Sequence, residues 1–240
     1  DTTRISALVD QVARLHRAGT EVILVSSGAV ASGRSILGQR AGKLDSVSAR
    51  QLFSAVGQVK LLNRYYDLFN EYGIVCGQVL TTKESLSTRR QYLNQRNCME
   101  AMRAAGVVPI VNENDTISTE EFGIGDNDTL SAIVAVTIQA DLLILLSDID
   151  GLFDGDPRKN PDAKLIDTVE KIDEHIISLG GGSGSNLGTG GMATKLRAAQ
   201  MATAAGCEMV IANGQSPEVL YDVAAGKRVG TRFLAKRDEA

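Results

Sequence analysis

Tryptophan is absent from this sequence, aromatic residues make up only 4% of it, and its 240 residues include two histidines, three cysteines and four prolines. Each scarcity removes a class of protein. His16 and His175 are too few for most imidazole-built metal sites and for many mechanisms that pass protons through histidine. Cys76, Cys98 and Cys207 are scattered, have no metal-ligand spacing and cannot all pair. That excludes a disulfide scaffold and leads us to expect a reducing, cytoplasmic setting. No apolar run approaches the ~20 residues of a membrane span, and the N-terminus has no signal-peptide apolar region, so no membrane partner is expected. An excess of positive charge is missing too: 25 Lys and Arg against 29 Asp and Glu give a net −4. A nucleic-acid partner, which needs a basic face, is therefore not expected.

What is present is a 43% hydrophobic chain with 24 glycines, seven of them between Gly180 and Gly191. That hydrophobic content suffices for a well-cored domain, and with no composition break or long linker one domain over 1–240 is the simplest expectation. Helical and strand periods alternate almost from end to end. Ile5, Leu8, Val9, Val12 and Leu15 form a helical stripe stopped by Gly19, and Val22–Val25 reads as a strand buried on both faces. Helices are predicted over Ser48–Tyr72, Arg90–Ala105, Asn127–Ala140, Val169–Leu179 and Met192–Ala205. Asp126 or Asn127 could cap the third of these. Strands are predicted over Ile74–Leu80, Val107–Val111, Leu142–Leu146, Leu165–Ile166, Met209–Ala212 and Val229–Leu234. Pro109 suggests an edge, a bulge or a strand end, and Pro217 a first helical turn. Strands separated by helices predict an α/β fold, a parallel sheet covered on both faces.

In such sheets ligands bind at the carboxyl ends of the strands. After Val25 comes Ser26-Ser27-Gly28-Ala29, a small-residue turn into a helix whose N–H groups suit an anion. A tight turn would need the same residues. After Val111 come Asn112-Glu113-Asn114-Asp115-Thr116 and, further on, Gly125-Asp126-Asn127-Asp128-Thr129. Crowded carboxylates call for a cation, either an ammonium group or a metal, although Asx turns and helix caps explain some of them. Ser147-Asp148 follows the most apolar strand. The glycine-rich tract Gly180–Gly191 runs straight into a helix opening Met192-Ala193-Thr194-Lys195. Such a loop presents backbone N–H groups to phosphates, and the lysine can reach a transferring phosphoryl group. The tract contains no Gly-Lys-Ser/Thr, so it is not a Walker loop. Gly188–Ala193 fits the looser G-x-G-x-x-A dinucleotide pattern, but no clear strand precedes it.

Together these segments resemble the amino acid kinase family. The motifs are Val25–Arg34, Val111–Asp115, Gly125–Ala132, Asp150–Phe153 with Asp156–Arg158, and Gly188–Lys195. They stand in the family's order and cover nearly the whole chain, and two of them, Gly125–Ala132 and Gly188–Lys195, are those of its glutamate-directed branch. The resemblance implies a three-layer αβα sandwich with a mainly parallel central sheet. It also implies transfer of the ATP γ-phosphoryl group, with Mg²⁺, to the side-chain carboxylate of L-glutamate, the first step of proline synthesis. By the same resemblance Ser27, Asp115 and Asn127 would hold glutamate. Ser147, Asp148, Thr189, Gly190, Gly191, Met192, Ala193, Thr194 and Lys195 would meet ATP, with Asp148 positioning Lys195 as the catalytic pair. Homo-oligomers and feedback inhibition by proline are implied as well, the latter through the loop from Asn114 to Asp126.

The sequence departs from the family pattern in two places. Ser147 stands where many members have threonine. Members also open with a strand ending Val-Lys-x-Gly-Ser/Thr, whose lysine contacts the phosphate, and nothing like it stands at Asp1-Thr2-Thr3-Arg4. The expectation is a domain without its first strand, and without the small RNA-binding-like domain that some members append. The competing readings are a catalytically impaired binding module, a related kinase acting on acetylglutamate, aspartate or uridylate, and a dinucleotide-dependent oxidoreductase.

Overall fold

The computed structural model describes residues 2–118, 126–181, 191–215 and 218–235. The chain divides into two compact units, Asp1–Asn127 and Asp128–Ala240.

In the first unit, α1 (Thr2–Arg17) precedes β1 (Leu24–Val25), α2 (Ala29–Leu37), α3 (Ser46–Glu71), β2 (Cys76–Thr81), α4 (Lys83–Ser87), α5 (Arg89–Ala104) and β3 (Val108–Glu113). The stripe read on α1 is its buried face, with Val9, Val12 and Ala13 at 0% exposure. Asp45 caps α3 by accepting the Ser48 N–H at 2.9 Å. The three strands lie in the order β1-β3-β2, all parallel. All six residues of β3 are buried, so both faces of this central strand are covered.

Pro109 therefore sits in the middle strand, not at an edge. The Val108 N–H donates to Val75 O, so the alternating pattern turns position 109 toward β1. Proline has no N–H to offer there, and the β1 ladder begins only opposite Ile110. That is why the four-residue strand expected at Val22–Val25 is reduced to Leu24–Val25, whose residues are half-buried. The short helix α4 was not anticipated. Its capping box pairs Thr82 with Ser85, where the usual signature has Glu or Gln.

After Asn127, the first unit's last residue and the start of α6 (Asn127–Thr137), the second unit holds the rest of that helix, β4 (Leu142–Ser147), β5 (Thr168–Val169), α7 (Glu174–Leu179), α8 (Met192–Ala204), β6 (Glu208–Asn213), α9 (Val219–Ala224) and β7 (Thr231–Phe233). Its strands run β4-β6-β7-β5 and are parallel except for β6 with β7. Ala198, Ala199 and Ala202 of α8 join Leu143, Leu145, Met209, Ile211 and Phe233 in one core, and the small alanines let helix and sheet approach closely. Burial there pushes the Cys207 thiol up to about 11, which keeps it protonated and unreactive at neutral pH. The helix expected over Val169–Leu179 is split. Val169 pairs in β5, and Asp173 starts α7 by accepting the Ile176 N–H at 2.9 Å. At Leu165–Ile166 only a single antiparallel bridge forms, Phe153 to Leu165. Pro217 lies outside the described residues.

Helices α2 and α3 cross at two glycines. A Cβ on Gly57 would stand 1.7 Å from Ala29 O, and one on Gly33 would stand 1.8 Å from Phe53 O. No side chain fits without parting the helices. Gly57→Ala is expected to lower stability by about 1–3 kcal/mol in urea unfolding. Gly155→Ala, whose nearest neighbours are 3.8 Å away, should change it by less than about 0.5 kcal/mol.

Candidate active site

Because β1, β3 and β2 are parallel, their carboxyl ends share one edge of the first unit's sheet. At that edge β1 delivers Ser26-Ser27-Gly28. The Ser26 N–H donates to Val111 O at 2.9 Å, and its Oγ lies 3.0 Å from the Tyr65 hydroxyl. Burial raises the Tyr65 pKa, against the opposing effect of the Ser26 hydrogen bond, so Tyr65 keeps its proton and anchors the turn. Gly28, at φ 99°, turns the chain into α2 and, among the described residues, no side-chain cap bond is made at this N-terminus. Ser27 is exposed beside them.

At the end of β3, Asn112, Glu113 and Asp115 are all buried. Asn112 donates to Gln58 Oε1 at 3.1 Å and accepts its neighbour's N–H. The cation called for among these carboxylates is Arg50 of α3. Its Nε and Nη2 donate to Asp115 Oδ1 at 3.0 and 2.7 Å, and Nη2 lies 3.8 Å from Glu113 Oε2. Gln51 Nε2 ties the same turn to α3 through Thr116 O at 2.9 Å. The acidic motif raised the need for a cation, but Arg50 is 65 residues away in sequence. No local spacing could have named it.

In the second unit, α6 runs directly into β4 and α8 into β6, so each helix is antiparallel to its strand. Their N-termini therefore lie at the carboxyl edge of the sheet, where Ser147 and Asn213 are paired. Lys195, in the first turn of α8, is buried, and its Nζ is 3.0 Å from Asp128 Oδ2 in the first turn of α6. The Thr194 hydroxyl donates to the same oxygen at 2.7 Å. A cation at a helix N-terminus opposes the helix dipole, whereas an anion there is favoured. Asp128 thus offsets a placement that would otherwise repel the lysine.

Among the described residues the carboxylate on the Lys195 ammonium is that of Asp128. Asp148 is exposed and accepts from Ser147 Oγ at 3.2 Å. Next to it Asn213 Nδ2 donates to Asp150 Oδ1 at 2.8 Å, and the Gly214 N–H donates to Ser147 O at 2.8 Å. Gly191 caps α8, which opens Met192-Ala193-Thr194-Lys195 as expected. Asn127 opens α6 and is half-buried. Thr189, Gly190 and Gly125 lie outside the described residues.

Two sets of parallel strand ends, one acidic and one with a lysine at a helix N-terminus, are thus built into this α/β chain. The chain belongs to the amino acid kinase family, whose model matches residues 1–213. It is similar to proteins named glutamate 5-kinase: 51% identical over 239 residues to that of Bacteroides thetaiotaomicron, covering 98% of this chain and 65% of the relative. To that of Shewanella amazonensis it is 50% identical over 235 residues, covering 98% and 62%. The chain thus spans less than two thirds of the length of these curated relatives. Among solved structures, the UMP kinase of Ureaplasma parvum matches with a TM-score of 0.66 at 16% identity, covering 98% of this chain and 90% of that one. The isopentenyl phosphate kinase of T. acidophilum matches with 0.63 at 19%, covering 97% and 90%. These likenesses share the α/β fold expected from the sequence.

The Lys195 and Asp128 side chains are only 8% and 15% exposed, so removing one takes a compensating charge from the buried other. Asp128→Ala is expected to cost about 3–5 kcal/mol in urea unfolding. The double change Asp128→Ala with Lys195→Met should cost clearly less than the sum of its parts, as a double-mutant cycle would measure.

Proposed function

We propose that this chain catalyses the ATP-dependent phosphorylation of the side-chain carboxylate of L-glutamate, which opens proline synthesis. The observation that carries this reading is the buried Lys195 at the N-terminus of α8, directly after the glycine-rich tract and held by Asp128. The similarity to glutamate 5-kinases supports the choice of acceptor. In this reading residues 1–240 act as one kinase domain.

The first unit takes the acceptor. The Asp115 carboxylate receives the substrate ammonium, Ser27 and the uncapped N–H groups after Gly28 receive a carboxylate, and Asn127 adds a polar contact. The second unit takes ATP, through Ser147 and Asp148 at the strand end and through Gly191, Met192, Ala193, Thr194 and Lys195 at the helix N-terminus. Thr189 and Gly190 belong to the same proposal.

A carboxylate is already a nucleophile at neutral pH, so no general base is required. The reading therefore gives no role to His16 in α1 or to the exposed His175 in α7. The carboxylate oxygen forms a bond to the γ-phosphorus as the bond to the β-phosphate oxygen breaks, giving glutamyl 5-phosphate and ADP. Two anions must be brought together, so the barrier falls by charge neutralisation and alignment. Lys195 and the first N–H groups of α8 supply the protein's share of positive charge. Among the described residues no group of three or more His, Cys, Asp or Glu side chains could cage a metal. Mg²⁺, when bound, would neutralise the phosphate oxygens of the nucleotide. Homo-oligomers and feedback inhibition by proline complete the proposal. No helix among the described residues is long and apolar enough to cross a membrane, and a cytoplasmic setting fits the reaction.

An ATP-dependent hydroxamate assay with glutamate, acetylglutamate and aspartate tests the reading, with glutamate expected as the preferred acceptor. Turnover of acetylglutamate alone would overturn it. In the same assay Lys195→Ala should lower kcat by about 10²–10³-fold with a modest change in glutamate KM; near-normal kcat would remove Lys195 from the chemistry.

A further inference from the structure

Asp115 is buried, and among the described residues every hydrogen bond it accepts ends on Oδ1, with both donors from Arg50. A carboxylate held through one oxygen by two guanidinium N–H groups cannot rotate freely, and its second oxygen is left to accept from elsewhere. Arg50 is fixed in turn. Its neighbour Gln51 is bonded to Thr116 O, Ser54 on the same helix is buried, and α3 is locked to α2 at Gly57. Arg50, Gln51 and Gln58 thus lay one polar side of α3 along the segment Asn112–Thr116.

From this geometry we infer that Arg50 is a positioning residue that sets specificity for a free α-amino group. It clamps Asp115 through Oδ1 so that Oδ2 is presented to the substrate's ammonium. The inference rests on the reading that this unit takes glutamate, and it deepens that reading. A ligand with an acylated nitrogen, or with none, brings no positive charge to a buried carboxylate and leaves Oδ2 without a partner. Such mismatches are rejected strongly, because the site's own polar group is stranded. A guanidinium fork fits the role better than an ammonium point charge, since two donors on one oxygen fix direction as well as charge.

The test compares glutamate with glutarate, which lacks only the amino group. Binding is measured by calorimetry without ATP, alongside glutamate KM and kcat in the hydroxamate assay. Wild type should prefer glutamate over glutarate. Arg50→Met should narrow that preference and raise glutamate KM about 10–100-fold, the loss expected for a charge-assisted contact. Its kcat should stay within about threefold and its ATP KM should not move. Arg50→Lys, which keeps the charge without the fork, should fall between the two, and it carries the test alone if Arg50→Met does not fold. An unchanged glutamate-to-glutarate ratio in a folded variant, or a fall in kcat at constant glutamate KM, would overturn the role. If wild type itself binds no glutamate, the functional reading fails instead, so the two failures are distinguishable.

Discussion

An ammonium group buried at the start of a helix is in an unfavourable field, because the unpaired N–H groups there already carry positive charge. Lys195 is held there by Asp128, itself on the first turn of another helix where a negative charge is welcome. The result is a buried ion pair that sets an ammonium beside the first N–H groups of α8. The acid also fixes where the lysine points, and Thr194 fixes the acid. The reaction proposed for this chain needs such an arrangement more than it needs any group that gains or loses a proton.

The first unit solves the opposite electrostatic problem. Its strand ends are acidic, and they are made compatible with burial by one guanidinium reaching in from α3. In both units the sheet sets the stage in the same way: parallel pairing gathers the strand ends at one edge, and the helices deliver their first turns or their polar sides to it. The difference lies in which charge is buried and which side chain answers it.

Most of the architecture was legible in the sequence because it is written in local periodicity. The stripe on α1, the apolar run of β4 and the helix following the glycine tract all follow from spacing alone. The errors have physical causes of their own. Pro109 suggests an edge, a bulge or a strand end; it stands second in β3, near that strand's start, and its missing donor shortens the neighbouring strand while β3 stays central. Val169 was absorbed into a helix because β5 is only two residues long and depends on pairing with β7 from far along the chain. At the site, Asp115 and Lys195 were visible as motif residues, whereas Arg50 and the Asp128 partnership were not. Both are contacts across more than sixty positions, and only the fold brings them together.

The crossing of α2 and α3 at Gly33 and Gly57 brings backbone against backbone, with no side chain between to act as a hinge or cushion. A contact of that kind transmits displacement instead of absorbing it. The turn at Gly28, at one end of α2, and the guanidinium on α3 are therefore mechanically geared. A shift that re-aimed the first N–H groups of α2 would press on α3, which carries the Arg50 bonded to Asp115. The two ends of an amino acid's head group would then be gripped or released together, by one rigid lever and not by two independent fingers.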